Sequence, residues 1–241
     1  MKKIASILAL VFITIASSAQ SLIPVKYGVK VGANISNIIS TSNEGVKNIE
    51  NSALIGIAGG FYMEIALNDK WYFNPELIYS QKGASFTYEY THEYTVNEKD
   101  IHNTSHELKL AYLELNPTVS YKATDKLALN FGPSVSFILS PDYTVLTDKG
   151  QNDNLISHPE LPKGTYTEET IDVGINLGIS YYLTENFLID SKVNTSLMKA
   201  GTISKLTNNG VVNGILTNSP QANTYEVKNS VISFSIAYLF Q

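Results

Sequence analysis

The C-terminal stretch, residues 227–241, alternates between two kinds of side chain. From residue 232 onward the even positions are large and apolar, namely Ile232, Phe234, Ile236, Tyr238 and Phe240, and the positions between them are mostly small or polar. A period of two places these two sets on opposite faces of one β-strand. A face so apolar and aromatic needs a covering element in a soluble sheet, whereas lipid covers it in a membrane. The pattern therefore predicts the closing strand of a transmembrane β-barrel.

The N-terminus has the three parts of a secretory signal peptide. Lys2 and Lys3 precede an apolar run over residues 4–15, and the small residues 16–19 follow it. We expect residues 1–19 to be cleaved as a signal peptide, which leaves residues 20–241 as one barrel domain. The alternative, a membrane-anchoring helix, is disfavoured because the run is shorter than the ~20 residues that span a bilayer.

The composition excludes several classes of protein. The chain has no cysteine, which argues against a disulfide scaffold and against a lipid-modified cysteine. Its 16% charged residues lie below the ~25% that is usual for soluble domains. Its basic residues are all lysines and its formal net charge is -5. Without arginine, the usual bidentate reader of phosphate, and with net negative charge, we expect no nucleic-acid partner.

Short turns and long polar stretches alternate along the chain. The short turns are residues 68–70, 124–126 and 184–186, and each is followed at once by an apolar or aromatic residue. The long polar stretches are residues 37–51, 87–105, 140–168 and 200–226. This asymmetry is typical of outer-membrane barrels, whose periplasmic turns are short and whose extracellular loops are long. We predict an all-β fold, an eight-stranded antiparallel up-and-down transmembrane β-barrel.

The less apolar face of the predicted strands consists mainly of Gly, Ser, Ala and Asn, which suits a narrow interior. That orientation turns a set of charged residues inward: Lys30, Glu64, Glu76, Lys82, Glu114, Asp172, Asp190 and Lys192. Eight strands leave an interior that side chains fill, so we expect these charges to pair as a structural polar plug. An ion path or a proton relay is the alternative. A soluble lipocalin-like barrel would reverse the two faces.

Aromatic residues concentrate beside the short turns, as in the girdle at a membrane interface. The predicted girdle is Trp71, Phe73, Tyr121, Tyr181, Phe187, Tyr238 and Phe240. Three prolines, Pro75, Pro117 and Pro133, fall inside predicted strands, and we expect β-bulges at these positions.

Five segments carry a resemblance to a known family. They are YGVKVGANISN at 27–37, PELIYSQKGA at 75–84, YLELNP at 112–117, GPSVSF at 132–137 and DVGINLG at 172–178. Together with the closing aromatic strand, they resemble the outer-membrane-protein β-barrel domain family, small porin-family barrels of OmpA-like topology. The resemblance implies residence in the outer membrane, with no single agreed activity.

No motif for chemistry accompanies this pattern. The four histidines, His92, His102, His106 and His158, all fall in predicted loops, and their spacing fits no metal template. Because no nucleophile motif is present either, we predict no catalytic, cofactor or metal site, and the sequence leaves the role of the loop histidines open.

The sequence thus predicts a non-enzymatic outer-membrane protein with a structural or surface-recognition role. The alternatives are a small porin-like transporter of small solutes and, further off, a soluble lipocalin-like ligand-binding barrel. The expected partners are outer-membrane lipid, the barrel-insertion machinery and an extracellular partner bound through the long loops, whose tyrosine-rich stretch 87–96 is good contact material.

Overall fold

The computed structural model describes residues 24–42, 50–95, 98–150, 165–207, 210–212, 215–217 and 221–240. The predicted signal peptide and His158 lie outside these ranges. The strands are β1 (Val25–Ser42), β2 (Glu50–Ala66), β3 (Trp71–Thr95), β4 (Glu98–Lys122), β5 (Leu127–Gly150), β6 (Thr165–Glu168), β7 (Ile171–Tyr182), β8 (Phe187–Ser196), β9 (Gly201–Thr207), β10 (Gly210–Val212), β11 (Ile215–Thr217) and β12 (Gln221–Phe240).

Eight of these strands form a closed antiparallel ring in the order β1-β2-β3-β4-β5-β7-β8-β12. The last strand pairs with the first, from Tyr27 opposite Phe240 to Ser42 opposite Tyr225. Strands β9 and β6 prolong the wall beyond β8 and β7, since β9 pairs with β12 and β6 pairs with β9. The predicted eight-stranded up-and-down barrel is confirmed.

The three short turns share one hydrogen-bonding pattern. In each turn the side-chain oxygen of the first residue accepts hydrogen bonds from the backbone N–H groups two and three residues further on. The two distances are 3.0 and 2.9 Å for Asn68, 3.3 and 3.0 Å for Thr124, and 3.2 and 3.0 Å for Thr184. A short polar side chain that satisfies these donors makes a tight reversal without further residues. The three turns, which join β2 to β3, β4 to β5 and β7 to β8, therefore lie at the same rim of the barrel.

The alternation of the sequence becomes an alternation of exposure. Along β8 every second residue is buried, and large apolar side chains face outward around the ring, with Val31 68%, Ile55 80% and Leu177 60% exposed. Within the described ranges, no helix is long and apolar enough to cross a membrane. The outward apolar band is what a strand needs to face hydrocarbon.

The interior is layered, which the sequence analysis did not predict. Polar and charged side chains fill the middle, whereas apolar clusters occupy both ends. At the end beside the short turns the cluster includes Leu188 and Leu239, and at the other end it includes Leu108, Leu110 and Phe86. These residues occupy inward positions of their strands, so the expectation of a wholly small and polar interior holds only for the central layer.

The expectation of β-bulges at the prolines is wrong. Pro75 lies directly opposite Pro117, and the register of their strands continues unchanged through both and through Pro133. Proline lacks an N–H group, so the ladder loses hydrogen bonds without any need for an extra residue. Interior amides donate to carbonyl oxygens opposite or at the prolines, Asn74 to Met63 O at 3.4 Å and Asn176 to Pro133 O at 3.5 Å.

Register shifts of one residue occur elsewhere, and one of them interrupts the pairing of β2 with β3 between Ala53 and Ala58. An interior side chain bridges this interruption, since the Ser36 hydroxyl accepts the Gly83 N–H at 2.8 Å and donates to the Gly83 carbonyl oxygen at 2.9 Å. A cleft of about 280 Å³ lies there, lined by outward Ile55 and by inward Lys82.

Candidate functional site: the barrel interior

A network of charged side chains occupies the centre of the barrel. The Lys30 ammonium lies 2.6 Å from Glu76 Oε1 and 2.8 Å from Asp190 Oδ2. The Lys192 ammonium lies 2.6 Å from Glu76 Oε2, and Lys82 pairs with Glu114 at 2.7 Å. All of these side chains are more than nine-tenths buried. Three cations and three anions are therefore held in register inside the ring, which is how buried charge becomes tolerable.

Asparagine and serine side chains satisfy the remaining oxygens of the network. Asp190 Oδ1 accepts from Ser180 at 2.8 Å and from Asn130 at 3.1 Å, while Asn116 donates to Glu76 at 3.4 Å. Because a buried polar group without a partner costs roughly 1–3 kcal/mol, these neutral donors stabilise the central layer. Sequence reasoning placed Asn116 and Asn130 on the inward face but did not identify them as members of the network, although the period-two pattern was the signal that could have done so.

Side chains of diametrically opposite strands touch at three levels. Near the short turns, the Tyr182 hydroxyl of β7 donates to Glu64 of β2. In the middle, Lys192 of β8 binds Glu76 of β3. Towards the other rim, the Asn229 amide of β12 donates to the Tyr112 hydroxyl of β4 at 2.8 Å. Each of these pairs lies four positions apart in the ring of eight, so each contact crosses the full width of the barrel.

The space left between these contacts is small. A central cavity of about 40 Å³ remains, bordered by Lys30, Glu76, Glu114 and Asn194. Since one water needs ~10–15 Å³ measured in this way, the cavity has room for roughly three waters. It is too small for a solute such as an amino acid or a sugar.

Three aromatic rings pack together on β3, β4 and β5 at the end of the barrel opposite the short turns. The rings of Phe86, His106 and Tyr143 pack in a triangle, with centroids 5.4 Å apart for Phe86–His106 and His106–Tyr143 and 6.2 Å apart for Phe86–Tyr143, and the Tyr143 hydroxyl lies 2.8 Å from His106 Nδ1. His106 is buried on β4, so its predicted place in a loop is wrong; the strand begins at Glu98, well before the predicted boundary. Burial raises the pKa of Tyr143, which lies beyond the lipid-facing band, to about 12.

Comparison with known proteins assigns this barrel to a family. The family model described as "Outer membrane protein beta-barrel domain" matches residues 16–200, well over half of the chain. The chain belongs to this family. The protein is therefore an outer-membrane β-barrel, and the soluble lipocalin-like alternative is excluded because the bulky apolar side chains point away from the barrel axis.

The chain is also similar to solved structures of outer-membrane proteins. Neisserial surface protein A is 14% identical, with 89% of this chain and 97% of that chain covered and a TM-score of 0.43. OprG from Pseudomonas aeruginosa is 14% identical, with 90% and 96% covered and a TM-score of 0.42. The outer membrane protease OmpT from Escherichia coli is 14% identical, with 90% and 96% covered and a TM-score of 0.33. At these TM-scores, below 0.5, the likeness carries no argument about role. No curated protein matches the chain.

The seven residues of the predicted aromatic girdle lie at the short-turn rim of this outer-membrane barrel. The Trp71 ring packs against Tyr121 with centroids 5.0 Å apart, and Tyr238 packs against Phe187 at 4.9 Å and Phe240 at 5.2 Å. Tyr181 is also exposed on this rim, and Phe73 is half-buried. Their role as a membrane-interface girdle stays a prediction.

The structure brings seven of the eight predicted interior charges into ion pairs. Glu64 lies 3.5 Å from the Lys122 ammonium. The other six belong to the central pairs described above: Lys30, Glu76, Lys82, Glu114, Asp190 and Lys192. Asp172 is buried too, but it accepts hydrogen bonds from Ser196 and Asn229 instead of meeting a lysine. Their predicted role as a structural plug is taken up below.

Metal and catalytic sites were not predicted. Over the described ranges, no three His, Cys, Asp or Glu side chains come together as a ligand set. The side chains of His92 and His102 lie outside the part of the chain whose side chains are described. The His106 ring is held by two aromatic neighbours and the Tyr143 hydroxyl.

Proposed function

We propose that this outer-membrane barrel is closed and non-enzymatic and serves a structural or surface-recognition role. The observation that carries this proposal is the set of contacts between opposite strands at three levels: Glu64 with Tyr182, Glu76 with Lys192, and Tyr112 with Asn229. An open lumen requires all three contacts to break. Breaking the middle pair, Glu76 with Lys192, leaves buried charges without their partners. Such a rupture costs roughly 3–5 kcal/mol for one buried pair. The polar interior therefore acts as a plug.

The recognition role is supported by the length of three strands. Strands β3 and β4 have 25 residues each and β5 has 24, whereas about 9–11 residues cross a bilayer. Pairing of β3 with β4 continues out to Thr95 opposite Glu98. At ~3.3 Å per residue, some 14 residues beyond the bilayer form a ribbon roughly 45 Å long. We propose that this ribbon contacts an extracellular partner.

Outer-membrane lipid and the barrel-insertion machinery are the other two proposed partners. Outer-membrane lipid surrounds the outward apolar band, and the barrel-insertion machinery assembles the strands. The absence of arginine and the formal net charge of -5 support the proposal that no nucleic acid binds. The non-enzymatic role is supported by the inward charges, seven of which are engaged in ion pairs while Asp172 accepts hydrogen bonds from Ser196 and Asn229.

Conductance in planar bilayers tests whether the barrel is closed. The refolded protein is expected to give no unitary current steps under conditions in which a large porin conducts. Lys30→Ala and Glu76→Ala loosen the central layer, and any leak that they cause should be small and irregular. Steady unitary steps from the unaltered protein, altered in size by Glu76→Ala, would instead favour a small solute transporter.

Shortening the extracellular ribbon tests the recognition role. Residues 88–104 are replaced by an Asn-Gly turn, which joins Thr87 to Ser105 where the two face each other. Heat-modifiable migration on gels should show that the barrel still folds. Attachment of proteoliposomes to host-cell and matrix surfaces should fall to the level of empty liposomes, and attachment equal to that of the full-length protein would contradict the role.

A further inference from the structure

The cleft of about 280 Å³ opens on the outer wall of the barrel, where the pairing of β2 with β3 is interrupted. Strand β2 has one residue more than β3 between Ala53 and Ala58. The outward positions beside this interruption are small, Ala111 on β4 and Ser140 on β5, so they leave the cleft unfilled. Its volume is close to the lower end of the ~300–1,000 Å³ range of small-molecule sites, so it has room for part of one small ligand.

The cleft lies at the extracellular edge of the hydrocarbon layer. Trp71 faces Tyr121 beside the short turns, and Gln81, which lines the cleft, faces Ala111 ten residues further along the same two strands. Ten residues at ~3.3 Å each, tilted by roughly 40°, rise about 25 Å, which is the height of the lipid-facing band in barrels of this kind. One side of the cleft therefore meets acyl chains, and the other side meets lipid headgroups.

The lining of the cleft changes in the same sense. Tyr79 lies on the side nearer the short turns, and the neighbouring Ile55 of β2 is 80% exposed to the outside. Lys109 and Asp142, which face each other on β4 and β5, lie on the extracellular side. An occupant that fits both parts is amphipathic, with a hydrocarbon portion and a charged portion.

The charges on the extracellular side favour an occupant with a cationic end. The Lys109 ammonium lies 2.5 Å from Glu107 of its own strand. The exposed Asp142 carboxylate accepts the Thr144 hydroxyl at 3.2 Å, and among the described residues no lysine ammonium lies within 4.0 Å of it. Two carboxylates and one ammonium leave one net negative charge, since the Lys82 ammonium at the floor is paired inside the barrel. A lone phosphate is repelled by such a site.

We propose that the cleft binds one outer-leaflet phospholipid with a primary-amine headgroup, of the phosphatidylethanolamine class. The headgroup ammonium binds the Asp142 carboxylate, and the phosphate lies towards the Lys109 ammonium. Opposite residues of an antiparallel pair have Cβ atoms ~4.5–5.5 Å apart, and the amine and phosphate of this headgroup are separated by a similar length, two carbons and one oxygen. One acyl chain lies along Tyr79 and Ile55. The site rests on the proposed contact of the outward band with lipid, but it is compatible with an open or a closed barrel.

Native mass spectrometry measures the bound lipid directly. The mature protein is refolded in detergent with equal amounts of the dioleoyl forms of phosphatidylethanolamine, phosphatidylglycerol and phosphatidylcholine, and the lipids that remain bound after removal of the micelle are counted. We expect one phosphatidylethanolamine to be retained roughly threefold or more over either competitor, the size expected of one exposed ion pair. Glycerol carries no positive charge, and the methyl groups of choline prevent hydrogen bonds to the carboxylate.

Two variants separate the shape of the cleft from its charge. Ala111→Phe fills the cleft and should abolish the retained lipid, whereas Val193→Phe, which adds bulk to the lipid-facing side of β8 across the ring, should keep it. Asp142→Asn should keep one lipid but lose the preference for phosphatidylethanolamine, and Asp125→Asn, on an exposed short turn, should preserve that preference. All four changes lie on the outside of the barrel, and heat-modifiable gel migration checks that each variant folds.

Three results would overturn the proposal: equal retention of the three lipids by the unaltered protein, a preference for phosphatidylglycerol, or retention that Ala111→Phe leaves unchanged. Equal retention would still show general contact of the outer wall with lipid. Absence of any retained lipid, even before the micelle is fully removed, would count against that general contact as well, so the two failures are distinguishable.

Discussion

Glu76 and Lys192 meet across the full width of the barrel, with Oε2 and Nζ 2.6 Å apart. Glu76 lies on β3 and Lys192 on β8, opposite strands of the ring, and 116 positions separate the two residues in the sequence. The second oxygen of Glu76 binds Lys30 at 2.6 Å. One carboxylate therefore fastens three strands, and its loss leaves two ammonium groups with Asp190 as their remaining nearby carboxylate.

Glu76→Gln keeps the shape of this side chain and removes its charge. We expect the free energy of unfolding to fall by about 3–5 kcal/mol, because a buried positive charge is left without its partner. Urea-induced unfolding in detergent, followed by tryptophan fluorescence, measures the loss. Glu185→Gln, on an exposed turn, is the control and should change stability by less than ~0.5 kcal/mol. Equal stabilities of the two variants would show that the central pair contributes nothing.

Thr118→Val removes a hydroxyl beside the facing prolines Pro75 and Pro117. The buried hydroxyl donates to the Asn74 carbonyl oxygen at 2.9 Å, so we expect a loss of about 1–3 kcal/mol in unfolding free energy. Thr195→Val makes the same change on the exposed face of β8 and should be neutral or slightly stabilising. The same urea titration measures both, and an unaffected Thr118→Val would mean that this carbonyl needs no donor.

Gly59 and Gly60 are neighbours on β2 with opposite tolerance for a side chain. A Cβ atom at Gly60 would overlap the Leu77 carbonyl oxygen, whereas one at Gly59 would lie at an ordinary 3.4 Å from the Lys30 carbonyl oxygen. We expect Gly60→Ala to lower stability by about 1–3 kcal/mol through forced strand displacement. Gly59→Ala should leave stability unchanged or raise it slightly, as restriction of the unfolded chain predicts. The temperature at which half of each variant loses its heat-modifiable gel migration measures the two stabilities. A less stable Gly59→Ala than Gly60→Ala would contradict the close approach of Gly60 to the Leu77 carbonyl oxygen.

Tyr143 should titrate later than an exposed tyrosine. Because burial raises its pKa to about 12, the folded state holds the phenol proton more tightly than the unfolded state does. The stability that this proton linkage contributes is complete below pH ~10 and is lost as the pH rises through 12. The difference in absorbance at 295 nm between the unaltered protein and Tyr143→Phe should have its midpoint near pH 12. A midpoint near 10 would indicate that Tyr143 is not buried against Phe86 and His106.

Several features of the fold were predictable from local pattern alone. A period of two assigns each side chain to one face of a strand, and this placed Ile236 and Phe240 outward and Glu76 and Lys192 inward. Turn-forming side chains at Asn68, Thr124 and Thr184 marked the reversals, because the hydrogen bonds of such turns lie within four residues. The number of strands followed from these turns, and the structure confirms it.

Other features depend on which strands come to face each other. The sequence turned Glu76 and Lys192 towards one interior, but only ring closure with the observed register brings them to 2.6 Å. The same holds for His106, whose place in the extended β4 depends on pairing with β3 and β5, and for the prolines, whose lost hydrogen bonds are replaced from inside.

The sequence by itself determined the strands, their two faces and the membrane that the outer face requires, since these rest on spacing along one chain and on hydrophobicity. Only the tertiary structure decided which inward charges pair and that Asp172 and Asn229 keep unpartnered oxygens. The physical reason is that ion pairs and hydrogen bonds act over about 3 Å, and closure of the barrel sets distances of that order between residues far apart in sequence.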